Sequence, residues 1–270
     1  MTKIENNKIC LLLFLFVLVL IITSCGDSSS SSNEDVNKCG NISYDPETHF
    51  CDDRNGGFVY KKVTIAPNGS NYSRTWMAEN LNYATDEGSF CNPKIENSCS
   101  IFGRFYLWYA AVGKTKKECG YGHKCNLEEK SSGFIRGVCP EGWHLPNDVE
   151  WSELIAAVGG DDIAGKMLKS DSGWHWDKYG DVSGNGIDAY GFSALSAGYR
   201  DDEVEDKNNG DLFDAYDEEG GWSAFFWSST EIDEYVASNV HIHTDNEALL
   251  GDNKLKKSCG LSIRCVKDFE

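Results

Sequence analysis

The sequence predicts an α+β fold with few helices, many short strands and long loops. Residues 149–158 carry apolar side chains at positions 151, 154, 155 and 158, which is the spacing of an amphipathic helix. An Asn-Asp pair at 147–148 is a helix-cap signal, and a Gly pair at 159–160 ends the pattern. Elsewhere, short β-prone runs alternate with turns rich in Gly, Asp and Asn, which favours strands joined by loops.

The other elements follow from β-propensity and turn signals. Residues 39–51 predict a small hairpin that is closed by Cys39 and Cys51 and turns at Asp45-Pro46. In chain order the sequence then predicts a strand over 58–65, a new element over 74–81, a short buried helix over 102–112, a second helix over 163–169 after the first, and strands over 192–199, 224–228, 237–242 and 262–266.

The first 24 residues predict a signal peptide. An unbroken apolar run of 13 residues over 10–22 is too short for a bilayer span, which needs about 20 residues, and fits the apolar region of an export signal. The following Ser24-Cys25-Gly26 resembles a bacterial lipobox, in which Cys25 would carry a diacylglycerol; ordinary cleavage near Ser24 is the alternative. Residues 25–38 contain five consecutive serines and predict a flexible tether. We therefore expect a cell-envelope protein, anchored to membrane lipid through acylated Cys25 on the outer membrane or cell surface.

The charge balance argues against nucleic acid as a partner. The chain has 270 residues and a net charge of −18, and loss of residues 1–24 leaves 23 basic and 42 acidic residues, a net charge of −19. Such a surface repels phosphate backbones and anionic lipid headgroups. It suits neutral polymers, cations or simple solubility.

The eleven cysteines predict a disulfide framework, as expected for an exported chain. Nine remain after Cys10 leaves with the signal and Cys25 is acylated. Spacing does not fix their connectivity, and Cys259 is the candidate for the unpaired thiol. A zinc site at Cys119, His123 and Cys125 is the alternative, although no CxxC spacing occurs. The pairs that the spacing suggests are Cys39–Cys51, Cys91–Cys99, Cys119–Cys125 and Cys139–Cys265.

Eight sequence blocks in a fixed order carry a family resemblance. They are DRNG (53–56) with YKKV (60–63), WMAENL (76–81), CPEGWHLP (139–146), EW (150–151), GFSAL (191–195), AGYR (197–200), FWSSTE (226–231) and RCVKD (264–268). Together they resemble the Fibrobacter succinogenes major paralogous domain, over a domain of residues 52–270. The chain departs from that pattern at Cys259, which stands where the family more often has no cysteine.

The resemblance implies a C-type-lectin-like fold. That fold has two main helices, a twisted antiparallel sheet and a long loop region closed by the N- and C-terminal parts of the domain, which makes the Cys139–Cys265 pair its closing seam. The family occurs in exported bacterial surface proteins and lipoproteins. Its fold is similar to that of formylglycine-generating enzymes, but the upstream cysteine pair which those enzymes use has no counterpart between Phe226 and Cys259.

The expected function is non-catalytic binding of extracellular glycan, plant fibre or a protein partner. Trp174, Trp176 and Trp222 are the candidate ligand-binding residues, because they lie beside Gly and Asp outside the strongest family blocks and exposed indole faces stack on sugar rings. Core packing is the alternative for each. A formylglycine-generating-like enzyme and a structural envelope protein are the alternative functions.

Calcium is the one cofactor that the sequence suggests. Asp181, Ser183, Asn185 and Asp188 place oxygen side chains around Gly186, as in the first half of an EF-hand loop, but Phe192 stands where the bidentate acid belongs. A turn rich in Asn and Asp is the alternative. Two weaker candidates for cation or base chemistry are the pair His241 and His243, which a strand would place on one face, and the acidic run over 201–219.

Overall fold

The computed structural model describes residues 38–127, 133–176, 182–201, 211–215, 221–245, 248–250 and 254–269. They belong to one unit that spans residues 37–270, and it is a mixed α+β structure with mostly sheet and few helices. In this part of the chain no helix has the length and apolar character needed to cross a bilayer. The signal segment, Cys25 and nearly all of the tether lie outside the described residues.

The helices and strands are short. The helices are α1 (Ser98–Phe102), α2 (Trp108–Ala111), α3 (Lys116–Cys119), α4 (Asp148–Ala157) and α5 (Asp161–Leu168). The strands are β1 (Lys38–Cys39), β2 (Ile42–Ser43), β3 (His49–Asp52), β4 (Phe58–Ile65), β5 (Arg74–Met77), β6 (Ser89–Phe90), β7 (Phe105–Leu107), β8 (Trp143–His144), β9 (Tyr199–Asp201), β10 (Asp211–Phe213), β11 (Ser223–Glu231), β12 (Val236–His243), β13 (Ala248–Leu250), β14 (Leu255–Lys256), β15 (Cys259–Leu261) and β16 (Val266–Lys267).

Three antiparallel sheets organise the described strands. One has the order β3-β4-β5-β16-β8 and joins the two ends of the domain, since Val266 of β16 pairs with Trp76 of β5. The second has the order β10-β9-β15-β7-β6. The third contains β11-β12-β13, with β14 also paired to β12. The strands β1 and β2 pair with each other.

Helix α4 forms where the sequence predicts it. The Asn147 side chain accepts a hydrogen bond from the Glu150 backbone N–H at 3.0 Å, and the Glu150 carboxylate accepts one from the Asn147 N–H at 3.1 Å. This reciprocal capping box satisfies two backbone donors that a helix start leaves open. Trp151, Leu154 and Ile155 bury the predicted apolar face. The second predicted helix is also present, as α5, and strand β4 has the predicted bounds.

Four predicted elements were wrong. The 39–51 segment is not one hairpin, because β1 pairs with β2 while β3 pairs with β4. The helix over 102–112 is instead β7 followed by the single turn α2. Residues 105–112 are all buried, so their hydrophobic pattern could not separate strand from helix. The strand over 192–199 is mostly irregular, because Ser193 has a φ of +51° that a strand excludes. Of residues 262–266, only Val266 lies in a strand.

Four disulfides join the pairs that the spacing suggested: Cys39–Cys51, Cys91–Cys99, Cys119–Cys125 and Cys139–Cys265. The zinc alternative is therefore wrong, because Cys119 and Cys125 are bonded to each other rather than available as ligands. Among the described cysteines Cys259 is the one outside a disulfide, and it is buried.

A buried guanidinium connects three of the family blocks. Arg264 is fully buried, and its Nε donates to Asn80 Oδ1 at 2.6 Å. Its two terminal nitrogens donate to the carbonyl oxygens of Met77, Phe192 and Ser193. Burial lowers the pKa of Arg264 to about 9, so the group is charged at neutral pH. Hydrogen bonds from Arg264 thus join the WMAENL, GFSAL and RCVKD blocks. We refer to Arg264 and its four partners as the Arg264 clamp.

A second polar network lies at the seam between the chain ends. The buried imidazole of His144 contacts Asp268 Oδ1 at 2.6 Å through Nδ1 and Glu150 Oε1 at 2.8 Å through Nε2. Arg74 also donates to Glu150 Oε1, at 2.8 Å. Burial by itself would raise the pKa of Glu150, but hydrogen bonds and charge interactions with His144, Asn147 and Arg74 outweigh it and hold the pKa below its usual value.

Candidate functional site

The predicted binding residues lie on a short hydrogen-bonded ladder in the loop region. The His175 N–H donates to the Gly221 carbonyl at 2.9 Å, and the Thr244 N–H donates to the Trp222 carbonyl at 3.0 Å. The Thr244 hydroxyl donates to the His175 carbonyl at 2.7 Å. Segment 174–176 is therefore fixed against residues 221–222, which continue directly into β11.

Trp174 is a core residue, so its prediction as a surface binding residue was wrong. Its side chain is only 4% exposed and packs in the apolar cluster under α4. Its indole N–H is held by Ser170 Oγ at 3.0 Å and the Ala194 carbonyl at 3.2 Å. A buried indole with a satisfied N–H has no free face for a sugar ring.

The other two predicted tryptophans reach the surface. Trp176 is 52% exposed, and Trp222 is partly exposed with its ring stacked on His175 at a centroid distance of 4.0 Å and an interplanar angle of 18°. Successive side chains of extended backbone alternate between two sides, so we expect Trp176 to lie on the side of Trp174 and opposite the His175–Trp222 stack. We refer to Trp176, Trp222 and His175 as the loop aromatics.

A buried lysine supports this ladder from below. Lys169 is fully buried, and its ammonium donates to the carbonyl oxygens of His243 and Thr244 at 3.2 and 2.8 Å. The same ammonium lies 4.9 Å from the centroid of the Trp174 ring. Burial lowers the pKa of Lys169 to about 8. Lys169 therefore ties the end of β12 to the Trp174 segment.

The described residues of the proposed calcium loop make internal contacts instead. Asn185 Oδ1 accepts from the Trp174 N–H at 3.0 Å, Ser183 Oγ accepts from the Asn185 N–H at 3.3 Å, and Asp188 accepts from the Ser193 N–H at 2.8 Å. A Cβ on Gly186 would lie 2.2 Å from the Lys169 carbonyl oxygen. Close packing of the backbone therefore accounts for a glycine at this position without a metal ion. This favours the polar-turn alternative. Asp181 and most of the acidic run lie outside the described residues.

A second partly exposed cluster was missed as a unit by the sequence analysis. His241 stacks on Phe225 at 4.3 Å, Tyr199 contacts both Phe225 and Phe213, and Phe213 is 39% exposed. His241 Nε2 contacts Ser223 Oγ at 2.9 Å, and burial together with neighbouring His243 lowers the pKa of His241 to about 4. The rings of His241 and His243 lie 5.7 Å apart, as two side chains on one face of β12 do.

The described residues hold no group of three or more His, Cys, Asp or Glu side chains arranged for a metal ion. The loop aromatics instead offer apolar ring area on a fixed backbone. Such an arrangement suits stacking on a flat ligand face.

A family model described as the Fibrobacter succinogenes major domain matches residues 72–267. The matched segment includes the Arg264 clamp and the loop aromatics. No curated protein and no solved structure matches the chain significantly.

Proposed function

The chain belongs to the Fibrobacter succinogenes major domain family, and from that premise we propose that it is a lipid-anchored, non-catalytic surface module that binds extracellular glycan. The observation that carries this proposal is the pair of solvent-facing tryptophans, Trp176 and Trp222, on a hydrogen-bonded ladder. An exposed indole offers apolar area to the flat face of a sugar ring. A preorganised backbone reduces the conformational entropy that binding costs.

The charge of the chain supports a neutral ligand. At a net charge of −18, long anionic polymers are repelled, whereas cellulose-like and xylan-like polymers carry little or no charge. Plant fibre is therefore the ligand class that we favour. A protein partner remains an outcome that the binding experiment below separates.

We propose in addition that the α+β fold is C-type-lectin-like. The support is the closure of the domain by its two ends: β16 pairs with β5, and the Met77 N–H donates to the Cys265 carbonyl at 3.0 Å. Helices α4 and α5 would be its two main helices. An experimental structure with a different strand order would contradict this assignment.

The lipid anchor is proposed at Cys25. Substitution Cys25→Ala should move the protein from the membrane fraction to the soluble fraction, and the acyl mass should be lost from its N-terminal peptide. Unchanged membrane partition would overturn the anchor. The binding activity should be the same in both forms, because the loop aromatics belong to the domain.

The formylglycine-generating-like alternative requires two cooperating thiols. Cys265 is bonded to Cys139, and Cys259 is buried, which supports the non-catalytic proposal. Thiol titration with metal analysis tests it directly. More than one reactive thiol together with bound transition metal would favour the enzyme.

The binding proposal predicts retention of the full chain on insoluble cellulose or xylan. Trp176 exposes roughly 130 Å² of a ring that measures about 250 Å², and a sugar that covers half of this area contributes about 1.6 kcal/mol. Trp176→Ala should therefore weaken retention about tenfold, and Trp222→Ala should weaken it by a similar or smaller factor.

Tyr235→Ala is the matched control, because Tyr235 is 47% exposed and lies on the turn between β11 and β12, away from the loop ladder. Its retention should equal that of the parent chain. No retention on any polysaccharide would refute the glycan proposal. Retention that both tryptophan substitutions leave unchanged would refute the assigned site.

A further inference from the structure

The domain has a cleft whose lining includes none of the loop aromatics. It has a volume of about 440 Å³, within the range of small-molecule sites. Four separated segments line it: residues 58–61 of β4, the chain just after β5 at 78–82, residues 99–103 at the end of α1, and residues 193–195. No sequence motif joins these four segments.

The walls of the cleft are rigid. The Tyr60 hydroxyl accepts a hydrogen bond from the Asn82 N–H at 3.0 Å, which fixes the 78–82 wall to β4. The Cys91–Cys99 disulfide holds α1. Buried Arg264 donates hydrogen bonds to Asn80 and to the Ser193 carbonyl, so it holds the 78–82 and 193–195 walls to each other. A ligand would meet a preformed site and would order little of the protein on binding.

The polar groups at the cleft are suited to hydroxyls. Among the described residues the Asn82 amide and the Ser100 hydroxyl line the cleft without a side-chain hydrogen bond to protein, so both are open to a ligand. Lys61 and Glu79 lie 3.9 Å apart and are both substantially exposed, so a cation and an anion stand side by side. Ile101 and Leu195 add apolar surface.

These groups select for a neutral, polyhydroxylated ligand. The paired charges of Lys61 and Glu79 largely cancel each other, so neither an anion nor a cation gains much on entry. An amide, a hydroxyl and a carboxylate supply both donors and acceptors, which vicinal sugar hydroxyls can use together. We propose that this cleft is a second binding site, for a single neutral pyranose or the end of a glycan chain.

The two sites are independent. A cleft encloses a chain end, whereas an exposed tryptophan can stack on a sugar ring anywhere along a polymer. Failure of fibre retention would therefore leave this proposal standing, and failure at the cleft would leave the tryptophan site standing.

The test is titration of the full chain with the methyl glycosides of D-glucose, D-xylose and D-galactose, followed by calorimetry or ligand-observed NMR. At least one should bind with a dissociation constant on the order of 1 mM, as expected for a few net hydrogen bonds. Glucuronate, which is anionic, should bind more weakly than glucose.

Asn82→Ala and Ser100→Ala should each weaken binding about fivefold. Ser100→Trp should abolish it by filling the cleft. Asn68→Ala and Ser152→Ala, at exposed positions outside the cleft, should leave it unchanged. Binding of none of the three glycosides, or equal binding by the parent chain and Ser100→Trp, would overturn the proposal.

Discussion

Substitution of Arg264 by Met tests the clamp that joins the family blocks. Four acceptors lose their donors: the Asn80 side chain and the carbonyl groups of Met77, Phe192 and Ser193. Three of these hydrogen bonds are buried and the one to the Ser193 carbonyl is partly buried, so at roughly 2 kcal/mol each their loss costs at most about 8 kcal/mol.

The net loss is smaller than that sum. Removal of a buried charge returns several kcal/mol, because no described carboxylate forms an ion pair with Arg264. We therefore expect the free energy of unfolding to fall by about 4 kcal/mol. A typical domain has only about 5–15 kcal/mol in total, so the variant should be close to unfolding.

Urea unfolding under non-reducing conditions, followed by tryptophan fluorescence, measures this change. Arg104→Met is the matched control, since the Arg104 Nε is buried without a hydrogen-bond partner among the described residues. The control should stay within about 1 kcal/mol of the parent chain. If Arg264→Met also stays within that range, the desolvation energy that is recovered offsets the lost hydrogen bonds, and the clamp has no net role in stability.

Three further predictions concern stability. Replacing both Cys139 and Cys265 by Ser opens a loop with a sequence separation of 126 and should lower the free energy of unfolding by about 4 kcal/mol, measured by thermal unfolding without reductant against the oxidised parent chain. The pKa of Lys169 is lowered from 10.5 to about 8, so the folded state releases this proton first and stability should rise as pH increases from about 8 toward 10.5. Lys169→Met should remove that rise in urea unfolding between pH 8 and 9.5, and an identical slope in the variant would contradict the assignment. Glu150 has a pKa below its ordinary 4.5 in the folded state, so its ionised carboxylate stabilises the fold fully above pH 4.5. This stabilisation is lost as the pH falls through the pKa of the folded state. Glu150→Gln should be less stable at pH 7 yet lose less stability on acidification, and parallel acid curves would speak against it.

The sequence was most informative where local rules and packing agree. Helix α4 has a cap, a stop and an apolar face in one stretch, and β4 is a β-prone run between two turns, so both were predictable. Disulfide pairs at short spacing could also be proposed, because few geometries join cysteines 6 to 12 residues apart.

The sequence was least informative where distant segments decide the outcome. Trp174 is buried in an apolar cluster that also contains residues of α4, β11 and β12, and its indole N–H donates to the Ala194 carbonyl; no local pattern reveals these partners. Ser193 has a positive φ that no strand residue adopts. Its carbonyl accepts a hydrogen bond from Arg264, which lies 71 residues further along the chain. The cleft walls likewise come from four segments that only the fold brings together.

The most direct test of the proposed function is retention of the full chain on insoluble plant polysaccharide. We expect retention of the parent chain and of Tyr235→Ala, and about tenfold weaker retention of Trp176→Ala. Retention of none of them, or equal retention of all three, would contradict the proposed function.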